Sequence, residues 1–301
     1  MSIKKRIEEL KKEKNAILLA HYYVSDEVQE IADYVGDSFY LAQKATETDA
    51  DIIVFCGVSF MGESAAILNP EKKILMPDHQ ADCAMAHMVD VEKIQEMKEQ
   101  YDDLAVVCYI NSTAEIKTYS DVCVTSSNAV KIVNKLSNKN IFFVPDKNLG
   151  GYVAEQIPDK NIILNDGYCP IHDRMSVESL KQIKELHPKA KFLVHPECKK
   201  ELQKEADYIG STAGIIAFAA KDDADEYIVG TEKGVLFELR KQNPEKTFYT
   251  LTCQQICTDM KYITLEKICK VLETEENQVK VSEEFQKKAL KPLLRMLELA
   301  K

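Results

Sequence analysis

The sequence predicts an α/β protein with three pseudo-equivalent, doubly wound parallel-sheet domains around a pseudo-threefold axis. Two observations lead to this fold class. Short apolar runs alternate along the chain with helical segments of about ten residues, a pattern typical of parallel sheets covered by helices on both faces. In addition, Cys83, Cys169 and Cys257 lie in loops that follow apolar runs, and they are 86 and 88 residues apart. Such regular spacing indicates three internal repeats.

The same order of signals precedes each of these cysteines. A strand ends at a polar residue, a hydroxyl residue follows 15 to 17 positions later, and the cysteine comes 43 to 46 positions after that. The three sets are His21, Ser38 and Cys83; Asn111, Ser126 and Cys169; and His195, Ser211 and Cys257. The agreement of both intervals across the chain supports a true repeat rather than a chance spacing of thiols.

The elements of the first repeat follow from periodicity and capping signals. Ile3, Ile7 and Leu10 recur at helical spacing within residues 2–14, and Ser25 suits the N-cap of a helix over 25–34. The other predicted elements are a strand at 17–20, a short strand and turn at 33–38, a helix at 38–45, a strand at 51–56, a helix at 59–68 and a strand at 73–77.

The second and third repeats follow the same plan. Strands are predicted at 105–110, 121–124, 141–144 and 161–164, with helices at 113–119, 126–136 and 149–156. The third repeat has predicted strands at 191–194, 207–209, 226–229 and 247–251, with helices between them. A helix at 264–273, a polar strand at 277–281 and a helix at 283–300 complete the chain and are expected to pack on the first domain. The predicted domains are residues 1–82 with 262–301, 83–168 and 169–261.

Composition narrows the classes of function. The 301 residues are 45% hydrophobic and 29% charged, which is typical of a globular protein with a large core. A net charge of −10 argues against nucleic acid as a partner. The charged N-terminal helix is not a signal peptide and no apolar run is long enough to cross a membrane, so a cytoplasmic protein is expected. Nine cysteines in that compartment favour metal binding or catalysis over disulfides.

The positions of the polar residues predict one central site. Ligands of doubly wound sheets bind beyond the carboxyl ends of the strands. If the three repeats direct these ends inward, the three cysteines converge with His21, Tyr23, Tyr109, Asn111, His195 and Glu197. Three thiolates can ligate one central metal cluster, and a [4Fe–4S] cluster held by three cysteines would keep one iron open as a Lewis acid. Helix starts at Ser38, Ser126, Ser211 and Thr212 offer hydroxyl and N–H groups to anions.

Other interpretations of the same residues stand beside this one. Serines at helix starts are often plain N-caps. Four cysteines outside the repeat position are interpreted as small buried apolar side chains: Cys56, Cys108, Cys123 and Cys269. Cys198 is interpreted in the same way, with metal ligation as the alternative. A mononuclear zinc hydrolase could use three thiolates and a water, although catalytic zinc favours histidine or mixed ligands. An iron–sulfur regulator would normally carry a basic DNA-binding module, which the sequence does not display.

Several motifs together resemble the quinolinate synthase family, and they span nearly the whole chain. They are His21-Tyr22-Tyr23, Gly36-Asp37-Ser38, Tyr109-Ile110-Asn111, Thr125-Ser126-Ser127, Gly167-Tyr168-Cys169-Pro170-Ile171-His172, His195-Pro196-Glu197-Cys198, Gly210-Ser211-Thr212 and Cys257-Thr258-Asp259-Met260-Lys261. The resemblance implies a condensing and dehydrating enzyme of NAD biosynthesis. Its substrates would be iminoaspartate, supplied by an L-aspartate-oxidising enzyme, and dihydroxyacetone phosphate, and its products quinolinate, phosphate and two waters.

The resemblance also implies roles for individual residues. The ligands of a [4Fe–4S] cluster would be Cys83, Cys169 and Cys257. Tyr23, Glu197 and His195 would take part in acid–base steps. The substrate-binding residues would be His21, Ser38, Tyr109, Asn111, Ser126, His172, Ser211, Thr212 and Lys261. One departure concerns the third ligand, where some relatives have a C-x-x-C-x-x-C run while Cys253 and Cys257 here are separated by three residues. The Met260-Lys261 context favours Cys257 as the ligand.

Overall fold

Parallel β-sheets form the framework of the molecule. The computed structural model describes residues 2–301, and within them the strands form three sheets of four strands each. The first sheet contains β1 (Ala16–His21), β2 (Tyr34–Gly36), β3 (Ile52–Cys56) and β4 (Lys73–Leu75). The second contains β5 (Leu104–Tyr109), β6 (Val122–Val124), β7 (Asn140–Val144) and β8 (Asn161–Leu164). The third contains β9 (Lys191–Val194), β10 (Tyr208–Ile209), β11 (Glu226–Gly230) and β12 (Thr247–Thr250).

The three sheets share one topology. In each, the strands lie in the order second, first, third and fourth, and neighbouring strands run parallel. A matching aspartate before the second strand accepts a hydrogen bond from a backbone N–H of the first strand. The pairs are Asp33 with Leu18 at 2.8 Å, Asp121 with Val106 at 2.8 Å and Asp207 with Phe192 at 2.7 Å. The predicted three α/β parallel-sheet domains are therefore confirmed.

Helices connect the strands and cover the faces of the sheets. Those of the first repeat are α1 (Ile3–Glu13), α2 (Asp26–Ile31), α3 (Ser38–Glu47) and α4 (Ser59–Leu68). The second repeat has α5 (Val91–Gln100), α6 (Ala114–Thr118), α7 (Ala129–Lys135) and α8 (Lys147–Gln156). The third has α9 (Pro170–Asp173), α10 (Val177–Leu186), α11 (Lys200–Gln203), α12 (Thr212–Lys221) and α13 (Val235–Gln242). The tail forms α14 (Leu265–Thr274) and α15 (Glu283–Leu299), and two 3-10 helices cover Ala84–His87 and Asp259–Tyr262.

Capping residues begin several of the helices immediately after the carboxyl ends of strands. Asp37 accepts from the Tyr40 N–H at 2.9 Å to begin α3, and Asp146 accepts from the Leu149 N–H at 2.7 Å to begin α8. Ser211 does the same for α12 through the Gly214 N–H at 3.1 Å. Because the two central strands of each sheet are apolar and buried, polar side chains collect in these loops.

The C-terminal tail joins the first and second repeats. Helix α14 lies beside α1, where Arg6 pairs with Glu273 at 3.0 Å. Helix α15 continues toward the second sheet, since Arg295 Nη1 donates to the Asp121 carbonyl at 3.2 Å and Lys131 Nζ to the Ala300 carbonyl at 2.7 Å. The tail thus packs on the first domain, as expected, and also on the second. The domain boundaries themselves stay a prediction.

Several segments differ from the predicted elements. The strand predicted at 277–281 is wrong, because Asn277 has a positive φ of 58° and the chain makes only an isolated antiparallel bridge between Gln278 and Leu75. Helices α5, α9 and α10 lie outside the predicted elements, and the helix predicted at 126–136 begins at Ala129, so Ser126 precedes it. No helix within residues 2–301 is both long enough and apolar enough to cross a membrane.

Candidate active site

A cavity of about 290 Å³ lies at the carboxyl ends of the three first strands. His21 ends β1, Tyr109 ends β5 and His195 follows β9, and all three side chains line the cavity. The other predicted site residues that line it are Tyr23, Ser38, Cys83, Asn111, Ser126, Cys169, His172, Glu197, Thr212 and Cys257. Residues from all three repeats therefore share one site.

Two predicted residues lie outside the cavity wall. Ser211 caps α12, while its neighbour Thr212 faces the cavity. Lys261 is held by protein groups, since its Nζ donates to the Tyr23 carbonyl at 2.5 Å and lies 3.1 Å from Glu232 Oε1. Lys261 thus contacts the Glu232 carboxyl group. A role of Lys261 in substrate binding stays a prediction.

Glu197 is the charged centre of the site. Tyr109 Oη donates to Glu197 Oε1 at 2.5 Å, and His172 Nδ1 lies 2.7 Å from Glu197 Oε2. Burial by itself would raise the pKa of Glu197, but the nearby imidazoles of His172 and His195 and the hydrogen bonds from His172 and Tyr109 outweigh it. They hold the pKa of Glu197 well below its ordinary value, so the carboxylate is ionised at neutral pH.

Tyr23 takes part in a network of hydroxyl groups. Its Oη lies 2.7 Å from Thr212 Oγ1 and 2.7 Å from Thr231 Oγ1. Thr231 in turn lies 2.9 Å from His172 Nε2, which links Tyr23 to the Glu197 cluster. Burial and the charge of Glu197 raise the pKa of Tyr23 well above its ordinary value. The phenol therefore keeps its proton and can donate it to a ligand.

His21 and His195 occupy equivalent positions in the first and third repeats, and each accepts a backbone hydrogen bond at Nδ1. The Tyr23 N–H donates to His21 Nδ1 at 3.2 Å, and the Glu197 N–H donates to His195 Nδ1 at 3.3 Å. Burial lowers the pKa of both imidazoles to about 3, so both are neutral at pH 7. Because each Nδ1 accepts a hydrogen bond, each proton lies on Nε2. His195 Nε2 donates it to Ser126 Oγ at 3.1 Å.

The three repeat cysteines are free thiols that line the same cavity. Burial raises the pKa of Cys83 to about 12 and of Cys257 to about 11. The pKa of Cys169 is raised well above its ordinary value, by burial and then by the charge of Glu197. The three thiols therefore keep their protons at neutral pH in the absence of a metal.

A second grouping of possible metal ligands overlaps the first. Cys169, His172 and Glu197 present ligand atoms within 4.8 Å of one another. These atoms contact each other directly, since His172 Nδ1 lies 3.2 Å from Cys169 Sγ and 2.7 Å from Glu197 Oε2. A mixed set of this kind suits a single zinc ion, whereas three thiols suit an iron–sulfur cluster. Metal content distinguishes the two.

Comparison with known proteins identifies the family. A family model described as Quinolinate synthetase A protein matches residues 5–298. The chain belongs to the quinolinate synthase family. The quinolinate synthase of Fusobacterium nucleatum is 56% identical over 298 residues, which cover 99% of each chain. That of Clostridioides difficile is 53% identical over 295 residues, or 98% of this chain and 97% of the relative. Quinolinate synthase 2 of Methanosarcina acetivorans is 47% identical over 298 residues, or 99% and 96%.

The donor set of this chain fits an iron–sulfur cluster. Cys83, Cys169 and Cys257 supply three unpaired thiols to one buried cavity, one from the end of each repeat. Thiolate sulfur is the usual protein ligand of such clusters. Cys253, by contrast, is exposed and does not line the cavity.

Several buried polar residues at the site lie outside the predicted set, including Asp37 and Thr125 on the cavity wall. Three others, Thr231, Glu232 and Asp146, are completely inaccessible to solvent. Each follows the third strand of its sheet, β7 or β11, by one or two residues. The carboxyl ends of the third strands also point to the cavity. Polar residues just after these strands could therefore have been predicted as site residues from the sequence.

Proposed function

We propose that the chain condenses iminoaspartate with dihydroxyacetone phosphate to form quinolinate, phosphate and two waters, as a cytoplasmic enzyme of NAD biosynthesis. An L-aspartate-oxidising enzyme would supply the iminoaspartate. The observation that supports this proposal is the cavity itself, in which thiols, hydroxyls, neutral imidazoles and one carboxylate from three repeats converge in a member of the quinolinate synthase family.

Cys83, Cys169 and Cys257 would hold a [4Fe–4S] cluster. When bound, the cluster supplies a Lewis-acidic iron that lacks a protein ligand and can polarise a substrate oxygen. The cavity volume of about 290 Å³ leaves room for small molecules only.

The walls of the cavity suit the anionic ends of both substrates. Ser38, Ser126 and Thr212 lie at or near helix starts, where hydroxyl and backbone N–H groups favour carboxylate and phosphate. Asn111 Oδ1 is buried and accepts no hydrogen bond from residues 2–301, so it is available to an N–H or O–H group of a ligand. His21 and His195 would donate Nε2–H without adding positive charge.

Glu197 and Tyr23 would move protons. The Glu197 carboxylate is ionised and would accept a proton from the condensing carbon chain. A substrate that displaces the Tyr109 hydroxyl from Oε1 removes one of the donors that lower the pKa of Glu197, which makes the carboxylate a stronger base. Tyr23 keeps its phenolic proton and would donate it to a departing hydroxyl.

Metal analysis is the experiment that tests the proposal first. Protein purified without oxygen is expected to contain about four iron and about four acid-labile sulfide per chain. It should then form quinolinate from iminoaspartate and dihydroxyacetone phosphate. One zinc with no sulfide would instead favour the Cys169, His172 and Glu197 grouping and contradict the cluster.

A further inference from the structure

Each of the three cysteine loops is attached in the same way to the helix that follows the third strand of its sheet. The third residue after that strand donates its backbone N–H to the carbonyl group two residues before the cysteine. The pairs are Ser59 with Ala81 at 2.8 Å, Lys147 with Gly167 at 2.8 Å, and Lys233 with Gln255 at 3.0 Å. The attachment of the loops is therefore part of the internal repeat.

A carboxylate makes a second contact in each repeat, to the backbone N–H of the cysteine itself. Cys83 donates to Asp82 Oδ1 at 2.8 Å, Cys169 to Asp146 Oδ2 at 3.2 Å, and Cys257 to Glu232 Oε1 at 3.1 Å. Thus every thiol that faces the cavity belongs to a residue whose backbone is fixed by an acidic side chain.

Each carboxylate also reaches the start of the same helix. Asp146 Oδ1 accepts from the Leu149 N–H at 2.7 Å, and Glu232 Oε2 accepts from the Gly234 N–H at 2.6 Å. In the first repeat the acid belongs to the cysteine loop, where Asp82 accepts a hydrogen bond from the Ser59 hydroxyl. Val58 occupies the position before the helix that matches Asp146 and Glu232. The bridge between helix and loop is therefore present in all three repeats, although the acid that forms it comes from a different segment in the first.

Two of these bridges are formed by buried acids, for which loss of a hydrogen bond is costly. Asp146 and Glu232 are both 0% exposed. A buried carboxyl group is costly unless its oxygens accept hydrogen bonds. Movement of the Cys169 loop would leave Asp146 Oδ2 without its donor, and movement of the Cys257 loop would leave Glu232 Oε1 with the Lys261 ammonium alone. The cost of that loss restrains the loop.

We propose that Asp146 and Glu232 are positioning residues that hold the Cys169 and Cys257 loops in a ligand-binding arrangement before a cluster binds. Asp82 has the same role for Cys83, at a more exposed position. The inference rests on the proposed function, because it takes the three cysteines as cluster ligands. It assigns to these acids a task that is separate from the chemistry of the substrate.

The test uses Asp146→Asn and Glu232→Gln in the full chain. Each amide keeps the size of the acid but replaces one accepting oxygen with an NH₂ group, so one of the two bridging bonds is lost. Asp166→Asn is the matched control, since Asp166 lies in the Cys169 loop with its side chain 99% exposed and contacts Lys147 only. Thermal unfolding of each variant shows that it is folded.

Two rates report on the loops. In metal-free protein, alkylation by N-ethylmaleimide is followed at each cysteine by peptide mass over a range of pH. The rate constant of the thiolate itself is compared, because loss of the negative charge of Asp146 or Glu232 also lowers the pKa of the neighbouring thiol. In cluster-loaded protein, iron release to a ferrous chelator is followed by absorbance. Asp146→Asn is expected to raise the rate of iron release by about 10- to 100-fold, the range of metal affinity usually lost with a group that orients a ligand. It is also expected to raise the alkylation rate of Cys169 above that in Asp166→Asn. Glu232→Gln should act on Cys257 instead.

The site-selective pattern separates positioning from a general loss of stability. Alkylation of Cys169 at equal rates in Asp146→Asn and Asp166→Asn would overturn the inference, as would equal acceleration at both cysteines in either variant. If a variant does not fold, amide hydrogen exchange in the unaltered chain decides. The Cys169 and Cys257 amides should exchange at least about tenfold more slowly than that of Tyr168, which donates only to a methionine sulfur at 3.5 Å. Comparable exchange would overturn the inference.

The result is distinguishable from failure of the proposed function. Protein that contains no iron and no sulfide when purified without oxygen would contradict the cluster. The alkylation and exchange rates of the metal-free chain would still decide whether the carboxylates hold the loops.

Discussion

Gly234 lies where the start of α13 touches the segment that follows β1, and its replacement by alanine should disturb the site without altering any site side chain. A Cβ atom at Gly234 would meet the Tyr22 carbonyl oxygen at 2.6 Å and Tyr23 Cα at 2.9 Å. Both are backbone atoms, which cannot turn aside as a flexible side chain can. An ordinary carbon–oxygen contact is about 3.3 Å or longer. Gly234→Ala must therefore push the two segments apart by several tenths of an ångström.

The expected size of the effect follows from these contacts. Overpacking of a close contact costs about 1–3 kcal/mol in the free energy of unfolding. The displaced segment carries Tyr23, whose hydroxyl lies 2.7 Å from both Thr212 and Thr231. A misplacement of this kind lowers kcat by about 10- to 100-fold. The same Cβ would also meet Glu232 Oε2 at 2.8 Å, so the Cys257 loop that Glu232 holds is expected to shift as well.

Gly151→Ala is the matched control for Gly234→Ala. Gly151 lies within α8, and a Cβ there would meet only Leu164 Cδ1, at 4.0 Å. Alanine in a helix is expected to stabilise the chain by about 0.5–1 kcal/mol and to leave kcat unchanged. Urea unfolding and quinolinate formation measure both effects. A Gly234→Ala variant with the stability and kcat of the unaltered protein would refute the reasoning.

Three further variants test the site and the tail. Cys169→Ser is expected to lose iron and activity together, as measured by metal content and visible absorbance; retained iron would contradict its assignment as a ligand. Glu197→Gln should keep its iron and form quinolinate about 10²–10⁴-fold more slowly, and a near-normal rate would exclude Glu197 from proton transfer. Hydrogen bonds from Lys14 and Lys73 lower the pKa of Glu275 from 4.5 to about 2. The lowered pKa means that Glu275 stabilises the fold above pH 4.5 and that this contribution is lost as the pH falls toward 2. Glu275→Gln should remove that pH dependence and about 0.5–1 kcal/mol of stability at pH 6 in urea unfolding; coincident stability curves would contradict it.

Local patterns were enough to predict most of the framework. The strand at 161–164 and the helix at 59–68 have the predicted bounds in the structure. Both are set by nearby residues: an apolar run between polar loops for the strand, and helix-forming residues for the helix. The strand predicted at 277–281 is wrong because its pairing depends on the path of the chain at Asn277, where a positive φ leaves only one bridge to β4.

The sequence by itself determined the three-domain α/β class and the equivalent positions of Cys83, Cys169 and Cys257 in the three repeats. Strand periodicity and repeat spacing are local or regular properties of the chain. Only the tertiary structure decided which side chains touch. Tyr23 meets Thr231 across 208 positions, and Tyr109 meets Glu197 across 88. The carboxylates of Asp146 and Glu232 reach cysteines 23 and 25 positions away. Contacts of this length arise from the packing of helices and sheets against one another, and no periodicity within a single segment encodes them.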